Sequence, residues 1–68
     1  MLDKNVIGER LRNIRTAKGL SIADVSKATG LGCTAISNYE CGTRIPRDEA
    51  KIMLANFYEV SVVDIFFA

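Results

Sequence analysis

Three groups of side chains in this sequence could do chemistry, and their types exclude most reactions at once. Cys33 and Cys41 stand eight residues apart, and the chain has no histidine. Two thiols do not make a structural zinc site, which takes four ligands, so no metal is expected. Eight residues along one helix span about 12 Å, too far for a disulfide. With no His, no cysteine–base pair and no Gly-rich phosphate loop, neither an enzyme nor a cofactor site is expected. The cysteines read as small, semi-buried packing residues in a reducing compartment. The second group is cationic. Arg44 and Arg47 bracket Ile45-Pro46, and a stiff loop carrying two guanidinium groups suits phosphate oxygens. The third is the stretch "GLGCTAISNYECG", residues 30–42, whose polar face has no Arg, Lys or Gln. Its Asn38 amide suits N6 and N7 of adenine, and Thr34 suits a thymine methyl or a phosphate.

The bulk numbers bound what can carry these groups. A chain of 68 residues allows one domain, residues 1–68, with one small core. Roughly 60% of the unfolded surface is buried at this size, so association would add useful stability. Hydrophobic residues are 49% and charged residues 25%, ordinary for a globular domain. No apolar run approaches the ~18–20 residues of a membrane span, so no membrane partner is expected. "MLDKNVIGER" lacks the apolar region of a signal peptide, and the expected compartment is the cytoplasm. Net charge is only +1, yet the cations cluster. Arg10, Arg12, Arg15, Lys18 and Lys27 fall in one stretch, and Arg44, Arg47 and Lys51 in another.

The elements that must position these residues read as five short helices. The first segment, from about Asp3 to Lys18, places Ile7, Leu11 and Ile14 on one helical face, with Ala17 continuing it. Gly19 suits the left-handed position beyond its end. Ser21-Ile22-Ala23-Asp24 is a capping-box pattern opening a second segment that runs to Thr29. The third segment runs from about Cys33 to Glu40, with Gly32 as a cap without a side-chain acceptor. The fourth starts after Pro46, which suits a first helical turn, with Asp48 and Glu49 at the positive end of its dipole. Its run Ala50, Ile52, Met53, Leu54, Ala55, Phe57, Tyr58 is apolar on most sides, which needs a central place or a partner. Ser61-Val62-Val63-Asp64 repeats the capping-box pattern, and this last segment ends in Ile65-Phe66-Phe67. One of the two Phe should close the core and the other should stay exposed as part of a dimer surface. The fold class is all-α.

Segments two and three are joined by Gly30-Leu31-Gly32, the tight connection of a helix-turn-helix at about residues 21–40. A small Ser26 suits the helix crossing, Gly30 suits a positive φ at the turn, and Val25, Leu31 and Ile36 are the apolar pins that fix the angle. With "IGERLRNIRTAKGLS", "ISNYECGTRIP" and "VSVVDIFF", the chain resembles the Cro/phage-repressor (XRE-like) helix-turn-helix regulators over roughly residues 7–67. The resemblance implies a compact five-helix lambda-repressor-like DNA-binding domain whose third helix enters the major groove of a double-stranded operator. It implies an Arg15–Glu40 pair tying the first helix to the third. It implies base contacts from Cys33, Thr34, Ser37 and Asn38, backbone approach at Ser21 and Ile22, and phosphate contacts from Thr43, Arg44 and Arg47. Ile22 stands where the family often has Gln, so contact there falls to backbone N–H groups. Cys33 and Asn38 stand where it favours longer donors, so readout should lean on short contacts and DNA shape.

The expected function is a sequence-specific transcriptional regulator of the repressor type. It would bind as a homodimer through the fourth helix and the C-terminal segment, with no small-molecule ligand. The alternative is a protein-interaction module of the same fold, antirepressor-like or antitoxin-like, with weak DNA binding. The near-neutral charge and the short side chains of the third helix favour that alternative.

Overall fold

The computed structural model describes residues 3–67. Helix α1 spans Lys4–Ala17. The Asp3 carboxylate caps it, accepting from the N–H groups of Asn5 at 2.9 Å and Val6 at 3.4 Å. Ile7 and Leu11 are buried and Ile14 packs against the core. Ala17 is exposed, against expectation. At 100° per residue it sits about 80° round from Ile7, beyond the last packed turn.

Helix α2, Ile22–Thr29, starts with both halves of its capping box formed: Ser21 Oγ accepts from Asp24 N–H at 3.0 Å, and Ser21 N–H donates to Asp24 Oδ2 at 2.9 Å. It ends on Gly30 at φ 80°, a backbone state that costs a side-chain-bearing residue about 1 kcal/mol or more. The turn is then tied down by side chains. Ser26 Oγ donates to the Leu31 carbonyl at 2.6 Å, and Thr29 Oγ1 accepts from Leu31 N–H at 3.2 Å. Helix α3, Cys33–Cys41, runs one residue past the expected Glu40 and stops at Gly42. Val25 and Ile36 are fully buried and Leu31 partly so, which fixes the α2–α3 angle.

Helix α4 spans Asp48–Tyr58. Pro46 is not in its first turn: Arg47 is the cap and Pro46 is buried just before it. The ring therefore packs under the loop instead of starting the helix. A final segment, Val63–Phe67, is wound as a π-helix. Only half of its predicted capping box forms, with Ser61 Oγ accepting from Asp64 N–H at 3.1 Å.

Helix α1 lies against α3 and the terminal π-helix, and α2 contacts both α3 and α4. Their shared core is Ile7, Leu11, Val25, Ile36, Tyr39, Leu54, Tyr58, Ile65 and Phe66. At Gly8, α1 and α3 come very close. A Cβ there would lie 2.5 Å from the Glu40 carbonyl oxygen and 2.6 Å from that of Tyr39. The helix-turn-helix is thus held from behind by α1 against α3 and by α4 against α2.

Candidate nucleic-acid interface

Helix α3 divides cleanly by rotation. At 100° per residue, Cys33, Ser37, Cys41, Thr34 and Asn38 fall in that order within an arc of about 140°. Cys33, Thr34 and Cys41 are exposed, and Ser37 and Asn38 half-buried. The opposite side holds Ile36 and Tyr39, both buried. The four residues singled out in the sequence thus share one outward face. Cys41 belongs to it too, and sequence reading missed it, although it follows Ser37 by four and Thr34 by seven. Both cysteines are exposed free thiols, so the packing role expected of them is wrong. They lie on the face that the core residues at 36 and 39 leave outermost.

The edge of α3 nearest α1 carries Glu40, whose carboxylate is pinned. Arg15 Nε donates to Glu40 Oε2 at 2.7 Å and Nη2 donates to Oε1 at 2.9 Å, a two-pronged pair. Arg15 Nη1 donates to the Leu20 carbonyl at 2.8 Å. One guanidinium therefore joins the end of α1, the lead-in to α2 and the recognition-side helix. The side chains are 13% and 5% exposed, so the pair is poorly screened. The Glu40 hydrogen bond, reinforced by its charge, holds the Arg15 pKa above its ordinary value against the cost of burial.

At the start of α2, Ser21 is exposed, but its N–H and hydroxyl are both used in the capping box. The adjoining Ile22 and Ala23 N–H groups have no hydrogen-bond partner among the described residues. Asp24 sits at the same helix end, and its pKa is lowered by the bonds from Ser21. Beyond α3, Thr43 N–H and Arg44 N–H both donate to the Asn38 carbonyl, at 2.9 and 3.3 Å. Half-buried Ile45 and buried Pro46 anchor the rest of this loop, while Thr43, Arg44 and Arg47 are exposed. Neither arginine has an ion-pair partner among the described residues. A rigid loop thus holds two open cations beside the polar face of α3. No cluster able to hold a metal ion occurs among the described residues.

Residues 6–65 match the helix-turn-helix domain family. The chain belongs to that family. It is a DNA-binding regulator domain of the XRE-like kind, not an enzyme. Among solved structures, the restriction-modification controller protein C.AhdI from Aeromonas hydrophila is 31% identical, with TM-score 0.88 over 94% of this chain and 97% of that one. The DNA-binding domain of BldD from S. venezulae is 30% identical, with TM-score 0.82 over 94% and 96%. The clp gene regulator ClgR from C. glutamicum, at 23% identity and TM-score 0.82 over 96% and 84%, shares the fold. No curated protein matches the chain. No helix among the described residues is long and apolar enough to cross a membrane.

Proposed function

We propose that this domain is a sequence-specific repressor of transcription that acts in the cytoplasm by inserting α3 into the major groove. The observation that carries this reading is the single polar arc of α3, with its one acid already neutralised by Arg15. With its side chains a helix is about 10–12 Å across, a fit for a groove about 12 Å wide. Thr34, Ser37, Asn38 and Cys33 meet base edges at short range. Ser21 and Ile22 bring the open N–H groups of α2 to the backbone, and Thr43, Arg44 and Arg47 take phosphates on the far side. Phosphate contacts set the register and base contacts the sequence.

The protein binds as a two-fold dimer. Ile52 and Met53 on α4 are 53% and 40% exposed, and Val63 and Phe67 on the terminal helix are 58% and 56% exposed. Leaving these four in water is costly, and burying them against a second copy stabilises both folding and assembly. The helix α3 of each copy then reads one half-site, with centres about 34 Å apart.

Selection from a random-sequence DNA library tests the reading. A palindromic consensus is expected, and its absence at low salt refutes sequence-specific binding. Asn38→Ala and Thr34→Ala should each relax the preference at one position, by about 1–3 kcal/mol of discrimination. Arg44→Ala should weaken all duplexes alike. One observation favours the alternative, a protein-interaction module. Leu31, Ala35, Tyr39 and Met53 floor a groove of about 300 Å³ beside Arg44 and Arg47, and a phosphate backbone has no use for an apolar floor. A domain that fails the selection yet retains a protein partner through this groove would establish that reading.

A further inference from the structure

We infer that the groove between α1, α2 and α3 seats one DNA backbone phosphate and that Arg12, on α1, is its cationic contact. The inference rests on the DNA-binding reading and adds to it a contact from outside the helix-turn-helix. The groove encloses about 240 Å³ and is lined by Arg12, Arg15, Ile22, Ser37, Glu40 and Cys41. It therefore borders the polar arc of α3 at Ser37 and Cys41, and α2 at its first residue.

The charges around it single out Arg12. Arg15 is committed to Glu40 and to the Leu20 carbonyl, so it and Glu40 together present nearly zero net charge. Asp24, the acid of α2, is turned to the Ser21 N–H. Glu9, three residues before Arg12 on α1, makes no ion pair with it. The Arg12 side chain is exposed and has no partner among the described residues. It is the one cation in the groove whose donors are free. Ile22 brings no side-chain donor to the same space. A phosphate oxygen there would be held by the Arg12 guanidinium.

The Arg15–Glu40 pair then has a second consequence. Left unpaired, the Glu40 carboxylate would face an incoming phosphate with like charge. Paired, it forms a neutral wall. This explains why an acid on the recognition helix is compatible with backbone approach at that edge.

The test measures affinity against salt for the wild type, Arg12→Gln, Arg12→Lys and Lys27→Ala, on a labelled duplex recovered from the random-library selection. Gln keeps a polar, hydrogen-bonding side chain, though a shorter one, and removes the charge. Lys27 is exposed on α2 and lies outside the groove lining, so its variant controls for net charge. Arg12→Gln should lower the slope of log K against log salt by about 0.9 for each protomer bound, and Lys27→Ala should leave it unchanged. Arg12→Lys should keep most of the slope. The same duplex is then scanned with single methylphosphonates, which remove one phosphate charge at a time. One position per half-site should weaken the wild type and leave Arg12→Gln unaffected. A wild-type slope in Arg12→Gln, or a loss spread equally over all phosphates, overturns the contact while the DNA reading stands. A wild type that shows no salt-dependent binding overturns both.

Discussion

Replacing Gly8 with Ala sets two effects of opposite sign against each other. In a helix interior, Gly→Ala is favourable by about 1 kcal/mol, because Ala loses less backbone entropy on folding. Here the added methyl would meet two backbone carbonyl oxygens at 2.5 and 2.6 Å and the Glu40 carbonyl carbon at 2.9 Å. Neither oxygen can rotate away, since both belong to α3. Helix α1 must therefore back off by almost 1 Å to reach ordinary contact at about 3.4 Å. Overpacking typically costs about 1–3 kcal/mol, and a rigid obstacle puts this site at the upper end. The clash wins, with a net loss of about 1–2 kcal/mol. A domain this small has only about 3–10 kcal/mol in hand, and each kcal/mol moves Tm by about 4–8 °C. Urea unfolding followed by circular dichroism, with wild type and Gly8→Ala fitted to one m value, measures the difference. Because the same displacement loosens the grip of Arg15 on Glu40, DNA affinity should fall with stability. A variant as stable as the wild type, or more so, would refute the close approach of α1 to α3.

Other expectations follow from single contacts. Burial, aided by the nearby Glu40 charge and opposed by Arg15, raises the Tyr58 pKa from 10.0 to about 12. Its contribution is therefore complete below pH 10 and declines as pH rises towards 12, by about 2–3 kcal/mol in all; Tyr58→Phe should lose this part of the alkaline destabilisation in urea titrations at stepped pH. Ser21→Ala removes the acceptor for the Asp24 N–H and should cost about 1 kcal/mol, seen as a lower urea midpoint. Gly32 caps α3 without a side chain, so Gly32→Ser should gain a few tenths of a kcal/mol in the same assay. Phe67→Asp should shift sedimentation equilibrium towards monomer and leave the far-ultraviolet dichroism unchanged; an unaltered mass would remove the terminal helix from the dimer surface.

The caps and turn of the helix-turn-helix were legible because each is a local rule, whereas the starts of α4 and of the last segment were read only in part. Ser21 with Asp24, Gly19 and Gly30 at positive φ, and the Val25, Leu31, Ile36 pins all depend on neighbours a few residues away. Four members of the polar arc of α3 came from the resemblance to known regulators, and helical rotation would have added Cys41 to them. What escaped were facts of tertiary distance. Gly8 looks like a weak point in α1 until α3 is known to pass 2.5 Å from where its Cβ would be. Lys51 looks like a surface residue of α4. Instead it is 8% exposed, its ammonium 3.6 Å from Asp48 and lying over the Phe66 and Phe67 rings at 5.9 and 5.4 Å. The aromatic tail reaches it from fifteen residues on, and no local pattern announces that. The cysteines failed for a related reason: small apolar side chains fit a core or a contact face equally well, and only the placement of Ile36 and Tyr39 decides between them.

The near-neutral total charge argued against a nucleic-acid partner, and the structure removes much of that objection. A net charge of +1 counts every acid as an exposed opponent of phosphate. Asp3 and Asp24 instead turn their carboxylates to backbone N–H groups at helix starts, and of these three only Glu40 is paired with a cation, Arg15. Asp48 sits beside Lys51 at the start of α4. Around α3 the Glu40 charge is thus paired, while Arg12, Arg44 and Arg47 have no ion-pair partner among the described residues and Glu49 lines the groove beside the last two. What a phosphate meets is this local balance, because charges more than about 8–10 Å away are screened at ordinary salt. The short side chains of α3 then have a defined task. In the proposed complex they need not supply affinity, since the arginines outside the arc would do that. They need only prefer one base over another while the backbone is held, which is work that Thr, Ser and Asn can do at close range.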